Sequence, residues 1–166
     1  MSSFLHMRHL RTQAEEAPPS PKRSALMGRV RSRDTKPEIQ VRRLLHRMGF
    51  RYRLHVRGLP GTPDIVFASR RKAILVHGCF WHRHESCRKT TTPKTRQDFW
   101  NTKFKANQAR DASKIAQLEE AGWLVLVIWE CEAEAHDLGD RLAAFLNSDE
   151  EHGGSRGVIR STLATS

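Results

Sequence analysis

Eleven consecutive residues constrain this chain more than any others: His77-Gly78-Cys79-Phe80-Trp81-His82-Arg83-His84-Glu85-Ser86-Cys87. They hold three of its nine histidines and two of its three cysteines. Thiols and imidazoles interleaved at this density point to a tetrahedral zinc site. A closed site takes four ligands, and Cys79, His82, His84, Cys87 and the distant Cys131 offer five. The segment directly follows Ala73-Ile74-Leu75-Val76, and Cys131 closely follows the apolar run Trp123-Leu124-Val125-Leu126-Val127-Ile128-Trp129. If both runs are strands ending side by side, Cys79, one histidine, Cys87 and Cys131 make a Cys3His site. Spacing does not choose between His82 and His84. The competing reading is three small buried thiols with no metal.

Around this segment the pattern is that of one domain. With 166 residues, 38% of them hydrophobic, the chain can bury one modest core. Residues 1–22, with Ala17-Pro18-Pro19-Ser20-Pro21, read as a flexible arm, residues 23–147 as the folded domain and the Gly/Ser-rich residues 148–166 as a disordered tail. Thr35-Lys36-Pro37-Glu38 has the form of a capping box, followed by Val41, Leu44, Leu45 and Met48 at helical spacing, with Gly49 as the stop. Phe50, Tyr52, Leu54 and Val56 alternate with polar residues, the period of a strand with one buried face. After the turn-rich Gly58-Leu59-Pro60-Gly61-Thr62-Pro63, residues 64–68 and 73–76 predict a hairpin joined by Ser69-Arg70-Arg71-Lys72. Residues 95–121 predict a long helix and 137–147 a last one. Between them the apolar run 123–129 reads as a strand buried on both faces, as in the middle of a parallel sheet. The order helix, three strands, helix, strand, helix predicts an α/β sandwich with a mixed sheet.

Charge narrows the partner. A net charge of +11 favours a polyanion, since neutralised phosphates release counterions. No apolar run approaches the roughly 20 residues of a membrane span, and no long basic amphipathic helix is evident. The N-terminus lacks a signal-peptide apolar stretch, and three cysteines make a poor disulfide framework. The expectation is an intracellular protein without membrane contact. The basic residues of 22–33, Arg23 and Arg29 among them, and those of 42–57 and 70–72 divide between phosphate contact and solubility.

The catalytic residue types are fewer. Pro63-Asp64 opens a strand, and a carboxylate there with a polar group on the next strand is how many nucleases hold Mg2+. The usual acidic residue and lysine are missing from residues 73–77, so His77 and His82 are the local groups able to activate water. Taken singly, Asp64 is a turn residue after proline, Asp111 a solvated helix position and Glu38 the capping-box partner of Thr35. Phe80 and Trp81 fit either a core or a wedge into stacked bases, and Met27 either a second wedge or a loop residue packed on the body.

Together these residues resemble the very-short-patch repair (Vsr) DNA mismatch endonuclease family. The resemblance spans roughly residues 23–134. It rests on Arg33-Asp34-Thr35, Leu59-Pro60-Gly61-Thr62-Pro63-Asp64, His77-Gly78-Cys79-Phe80-Trp81-His82, Phe99-Trp100, Gly122-Trp123 and Val127-Ile128-Trp129-Glu130-Cys131. It implies a restriction-endonuclease-like three-layer sandwich of the PD-(D/E)XK superfamily with a structural zinc. It implies Asp64 as the principal Mg2+ ligand, with Val76 contributing its backbone carbonyl where better-known members carry threonine, and two Mg2+ ions in all. His82 would be the general base in place of lysine, His77 and Asp111 would position water and phosphate, and Glu38 would support the site from the first helix. Zinc would fall to Cys79, His84, Cys87 and Cys131, and Met27, Phe80 and Trp81 would intercalate, with Trp100 near the site or the DNA. The implied setting is a prokaryotic cytoplasmic, nucleoid-associated monomer acting on double-stranded DNA, with mismatch-repair proteins as partners.

Three functions remain open on this reading. The first is a nuclease nicking one strand at thymine–guanine mismatches left by deaminated 5-methylcytosine. The second keeps the fold but cuts modified or unmethylated DNA in host defence. The third is a non-catalytic zinc-containing DNA-binding module.

Overall fold

The structure, a computed structural model, describes residues 33–148. The expected arm, most of the expected tail, and Arg23, Met27 and Arg29 lie outside the described residues. Helix α1 spans Lys36–Arg47, and strands β1 (Arg53–Leu54), β2 (Ile65–Phe67) and β3 (Lys72–His77) follow. A single helical turn, α2, covers Cys79–His82. The long helix α3 (Gln97–Glu120), strand β4 (Leu124–Trp129) and helix α4 (Leu138–Asn147) complete the order. Short 3-10 turns at Ala68–Arg70 and Glu130–Glu132 follow β2 and β4.

The sheet runs β1-β2-β3-β4. Its first two pairings are antiparallel, whereas β3 and β4 are parallel. A parallel pair needs a long crossover, and α3 provides it. Its register sets Ile74 against Leu126 and His77 against Trp129, so the two strands end side by side. Alternation along the strands then sorts the faces. Ile65, Phe67, Ile74, Leu126 and Ile128 pack with Val41 and Leu45 of α1 and Leu138, Leu142, Phe145 and Leu146 of α4. His77 projects to the opposite face, toward α2 and α3. The architecture is a mixed α/β fold on a four-stranded mixed sheet with helices on both faces.

Three expectations are corrected. The strand expected over residues 50–56 shrinks to Arg53–Leu54, both exposed. His55 has φ +47, a left-handed conformation that breaks an extended run. Phe50 and Tyr52 still reach the core, edge-on to Phe67 at 6.2 and 6.0 Å. Strand β4 pairs with β3 alone at the margin of the described sheet, and only Leu126 and Ile128 are fully buried. Its continuous apolar run reflects cover by helices on both faces rather than a central place.

The third correction concerns the basic residues 70–72 between β2 and β3, read as divided between phosphate contact and solubility. Their side chains cap helices. Arg70 donates to the Leu146 carbonyl (2.9 Å), while Arg71 donates to those of Ala121 and Gly122 at the end of α3. Lys72, only 4% exposed, donates from Nζ to the carbonyls of Phe145 (2.7 Å), Leu146 (3.3 Å) and Ser148 (2.6 Å) and to Ser148 Oγ (3.0 Å). Carbonyls left over at helix C-termini carry partial negative charge, and a cation there satisfies both charge and hydrogen bonding.

Replacing Lys72 by methionine keeps the stem and removes the buried cation, although Leu146 O keeps Arg70 and Phe145 O keeps the Ser148 hydroxyl. Hydrogen bonds to a charged group are worth about 1.5–3 kcal/mol, so Lys72→Met is expected to lower stability by about 1–3 kcal/mol. A lowered urea midpoint at unchanged m-value checks this.

Candidate active site and metal centre

Asp64 sits at the corner between the Leu59-to-Pro63 loop and β2. Pro63 is fully buried, and Gly61 (φ +70) and Thr62 (φ +51) turn the chain into the strand. The Asp64 carboxylate reaches across to β3, where its Oδ2 accepts the Val76 N–H at 2.8 Å. Burial pushes its pKa above the ordinary carboxylate value and the Glu38 charge adds to this, while the Val76 N–H and the charges of His55 and Arg42 oppose. The side chain of Val76 packs against the core, so only its backbone faces Asp64.

One residue beyond Val76, the His77 ring stacks on that of His82, with centroids 4.1 Å apart and planes 9° from parallel. His82 Nδ1 is hydrogen-bonded to Asp111 Oδ2 of α3. Burial, with the neighbouring His82 charge, lowers the His77 pKa to about 3, so this ring is neutral near pH 7. Burial would raise Asp111, but the His82 hydrogen bond and the charges of His82, His77 and Lys114 outweigh it and hold the carboxyl below its usual value. His77, His82 and Asp111 thus form one compact group whose ligand-type atoms lie within 4.8 Å of one another.

A second group joins the ends of β3 and β4. One ligand-type atom each from Cys79, His84, Cys87 and Cys131 lies within 4.8 Å of the others. His84 Nδ1 is 3.2 Å from Cys131 Sγ and 3.7 Å from Cys79 Sγ. His82 points away, to Asp111. The three cysteines are free thiols. Burial, with the neighbouring Cys79 and Cys87, pushes the Cys131 thiol up to about 12, and burial raises Cys79 as well. Three thiols and an imidazole crowded together suit a soft or borderline cation, which takes thiolates as ligands. Thr90 Oγ1 closes the loop by donating to the His84 carbonyl (2.7 Å). Trp129 stacks on His84 (4.4 Å, 6°) and meets His77 edge-on at 5.5 Å, so it touches both groups.

Phe80 and Trp81 are half-buried on α2, their rings 5.0 Å apart at 88°. Trp100 and Phe104 of α3 brace them, with Phe80 5.7 and 5.3 Å from the two rings. Trp100 is only 8% exposed, so it supports this cluster from beneath and offers little surface to DNA. Its neighbour Phe99 is the exposed ring, at 46%, flanked by Arg96 (4.7 Å) and Lys103 (5.8 Å).

Four residues have no place in the site at the sequence level. Phe99 reads as one more aromatic beside Trp100. Lys114, one turn after Asp111, lays its stem over Gly61 and carries its charge toward His77 and Asp111. His55 lies 3.8 Å from Asp64 Oδ1, although the alternation of residues 50–56 assigned it to a solvent face. Arg42 reads with the basic residues of 42–57 as phosphate contact or solubility, yet it is buried and paired with Asp34 and Glu38. The capping box of Thr35 and Glu38 is half made: Thr35 Oγ1 accepts the Glu38 N–H (3.5 Å), but the Glu38 carboxylate accepts the Asp34 N–H and the Thr35 hydroxyl, each at 3.0 Å, in place of the Thr35 N–H.

A family model described as DNA mismatch endonuclease Vsr matches residues 18–89. The chain is 55% identical over 118 residues to the type II nicking enzyme V.XorIIP of Xanthomonas oryzae pv. oryzae, covering 71% of this chain and 85% of that protein. It is 44% identical to the type II nicking enzyme V.NmeAIP of Neisseria meningitidis, covering 67% and 79% of the two chains. It is 42% identical to the DNA mismatch endonuclease Vsr of Escherichia coli, covering 66% and 69%.

The loop that delivers Asp64 depends on Gly61. A Cβ there would stand 2.8–2.9 Å from the stem of Lys114, in a left-handed backbone conformation. Gly61→Ala is expected to cost about 1–3 kcal/mol from strain and overlap. Gly58 has open space around it, and Gly58→Ala should stay within about 0.5 kcal/mol. Paired thermal melts of the two variants check this.

Proposed function

The chain belongs to the Vsr family of DNA endonucleases, and from that premise we propose that it nicks one strand of duplex DNA at thymine–guanine mismatches. One observation carries the reading: Asp64 is hydrogen-bonded to the backbone just before His77, whose ring stacks on the Asp111-held His82. Carboxylate and base are thereby tied to one strand end, beside half-buried aromatics. The fold class this implies is restriction-endonuclease-like, within the PD-(D/E)XK superfamily.

Each residue takes a part. Asp111 accepts the Nδ1 proton of His82, which leaves Nε2 with its lone pair free to take a proton from the attacking water. The Asp111 carboxylate then stabilises the imidazolium that results, as the carboxylate does in a serine-protease triad. His77 stays neutral and orients by stacking and hydrogen bonding. Asp64 and the Val76 carbonyl would hold Mg2+, a hard cation that binds through one or two carboxylates and keeps several waters. The fit rests on Asp64, a half-buried carboxylate whose Oδ2 accepts the Val76 N–H while Oδ1 accepts no hydrogen bond among the described residues. When bound, the cation supplies charge stabilisation of the phosphate. Glu38 is engaged by Arg42, so a second ion would draw its ligands mainly from water and DNA.

Zinc is the natural occupant of the Cys79–His84–Cys87–Cys131 group, since three thiolates and one imidazole make a closed tetrahedral set. It would hold the loop in which Phe80 and Trp81 sit, and these two rings would enter the base stack at the mismatch. Met27, which lies outside the described residues, would join them. The Trp81 ring, with Lys103 at 5.8 Å, already meets a cation on the same surface. The partner is double-stranded DNA, and the enzyme would act as a cytoplasmic monomer. Several relatives are named type II nicking enzymes, without reference to a mismatch, and the second reading keeps strand nicking but takes a modified or unmethylated duplex as its target.

Nicking of end-labelled duplexes with Mg2+ separates these readings. The wild type is expected to cut one strand of the thymine–guanine duplex and to spare the fully paired one. Asp64→Ala should be slower by about 10³-fold or more, because several kcal/mol of charge stabilisation goes with the metal. Equal cutting by Asp64→Ala would sink the mechanism, and cleavage confined to modified duplexes would transfer the target to the second reading.

Metal analysis divides the two loop histidines. His84→Ala should lose its zinc, about one per chain, and melt at lower temperature. His82→Ala should keep zinc and lose about 10²–10⁴-fold in nicking rate. The opposite pattern would exchange their roles.

A further inference from the structure

We propose that His55 is a positioning residue for Asp64, held in one orientation and one tautomer by Arg42. The proposal rests on the reading of Asp64 as a metal ligand. His55 stands between the first helix and the strand corner. Its Nδ1 is 3.8 Å from Asp64 Oδ1, and its Nε2 is 3.0 Å from Arg42 Nη2 and 4.0 Å from Glu38 Oε2. Its backbone N–H also points to the Asp64 carbonyl, at 3.4 Å. The residue adopts φ +47, a strained conformation for a non-glycine residue that persists where the surroundings over-determine it.

The tautomer follows from the partner. A guanidinium only donates, so at 3.0 Å from Arg42 the Nε2 atom must accept. The proton of the neutral ring is then on Nδ1, facing Asp64. At 3.8 Å this is a contact short of a hydrogen bond, and bonds of this kind commonly tighten once metal and substrate are in place. Asp64 would then be oriented through both oxygens: Oδ2 by the Val76 N–H and Oδ1 by His55.

Arg42 itself is committed. Its Nη1 is 2.5 Å from Asp34 Oδ1 and its Nη2 is 2.7 Å from Glu38 Oε2. Asp34, Glu38 and His55 have the spacing of a metal-binding group, and the guanidinium stands among them as a resident cation. Its buried Nε has no hydrogen-bond partner among the described residues, a cost accepted to place the two Nη groups. Glu38 therefore acts on the metal site at a distance, through Arg42 and His55, rather than as a ligand.

Mn2+ binding to the full chain, followed by electron paramagnetic resonance, tests this without reference to cleavage. Outer partners of metal ligands are typically worth 10–100-fold in affinity, so His55→Ala and Arg42→Met should each weaken Mn2+ binding by about 10-fold or more. His55→Asn should recover most of it, since asparagine tolerates positive φ and offers an N–H. Thermal melts identify variants that remain folded. A folded His55→Ala with wild-type Mn2+ affinity, or equal losses for His55→Ala and His55→Asn, would overturn the positioning role. Asp64→Ala is the separate control: if it binds Mn2+ as tightly as the wild type, the metal reading of Asp64 fails and the inference fails with it.

Discussion

The parallel pairing of β3 with β4 is the constraint on which both chemical groups depend. Opposing His77 to Trp129 brings together two chain segments more than 50 residues apart, and each segment continues into residues with ligand-type side chains. Cys79 lies two residues past the end of one strand and Cys131 two past the other, so their meeting needs no further adjustment of the backbone. The same register fixes His77 on the face covered by α3, where Asp111 waits one helix away. The crossover helix that makes a parallel pair possible is thus also the element that completes the His77–His82–Asp111 group.

From that strand end, neighbouring residues diverge to different partners. In α2, Cys79 turns to the thiol group, Phe80 and Trp81 to the aromatic rings of α3, and His82 to Asp111. A helical turn sends successive side chains about 100° apart, and four residues are enough to serve three directions. Trp129 links two of them, flat against His84 and edge-on to His77. The spacing between the aromatic pair and His77 and His82 is therefore set by covalent neighbours and by the side chains that α3 packs against them.

The strong positive charge has two uses that composition cannot separate. Arg70, Arg71 and Lys72 close the carbonyl ends of α3 and α4, and Arg42 sits as a buried cation between two carboxylates. Arg96 and Lys103 instead surround exposed or half-buried rings. The first set contributes to the fold, the second to a surface suited to a polyanion.

The sequence by itself determined what local order determines. The helix after Thr35, the hairpin, the long crossover helix, the apolar strand before Cys131 and the last helix all follow from spacing within a few residues, because period and capping are nearest-neighbour properties. The ligand-type residues were legible for the same reason, being packed into one short segment. Tertiary structure decided what each residue faces. Lys72 finds its acceptors 73 to 76 positions away, and His55 leaves its expected strand face to lie between Arg42 and Asp64. Trp100 goes under the aromatic cluster while Phe99 stays outside. A side chain's partner across the fold depends on strand register and helix placement, and on how buried charges are neutralised there, and none of these is written in the residues on either side of it.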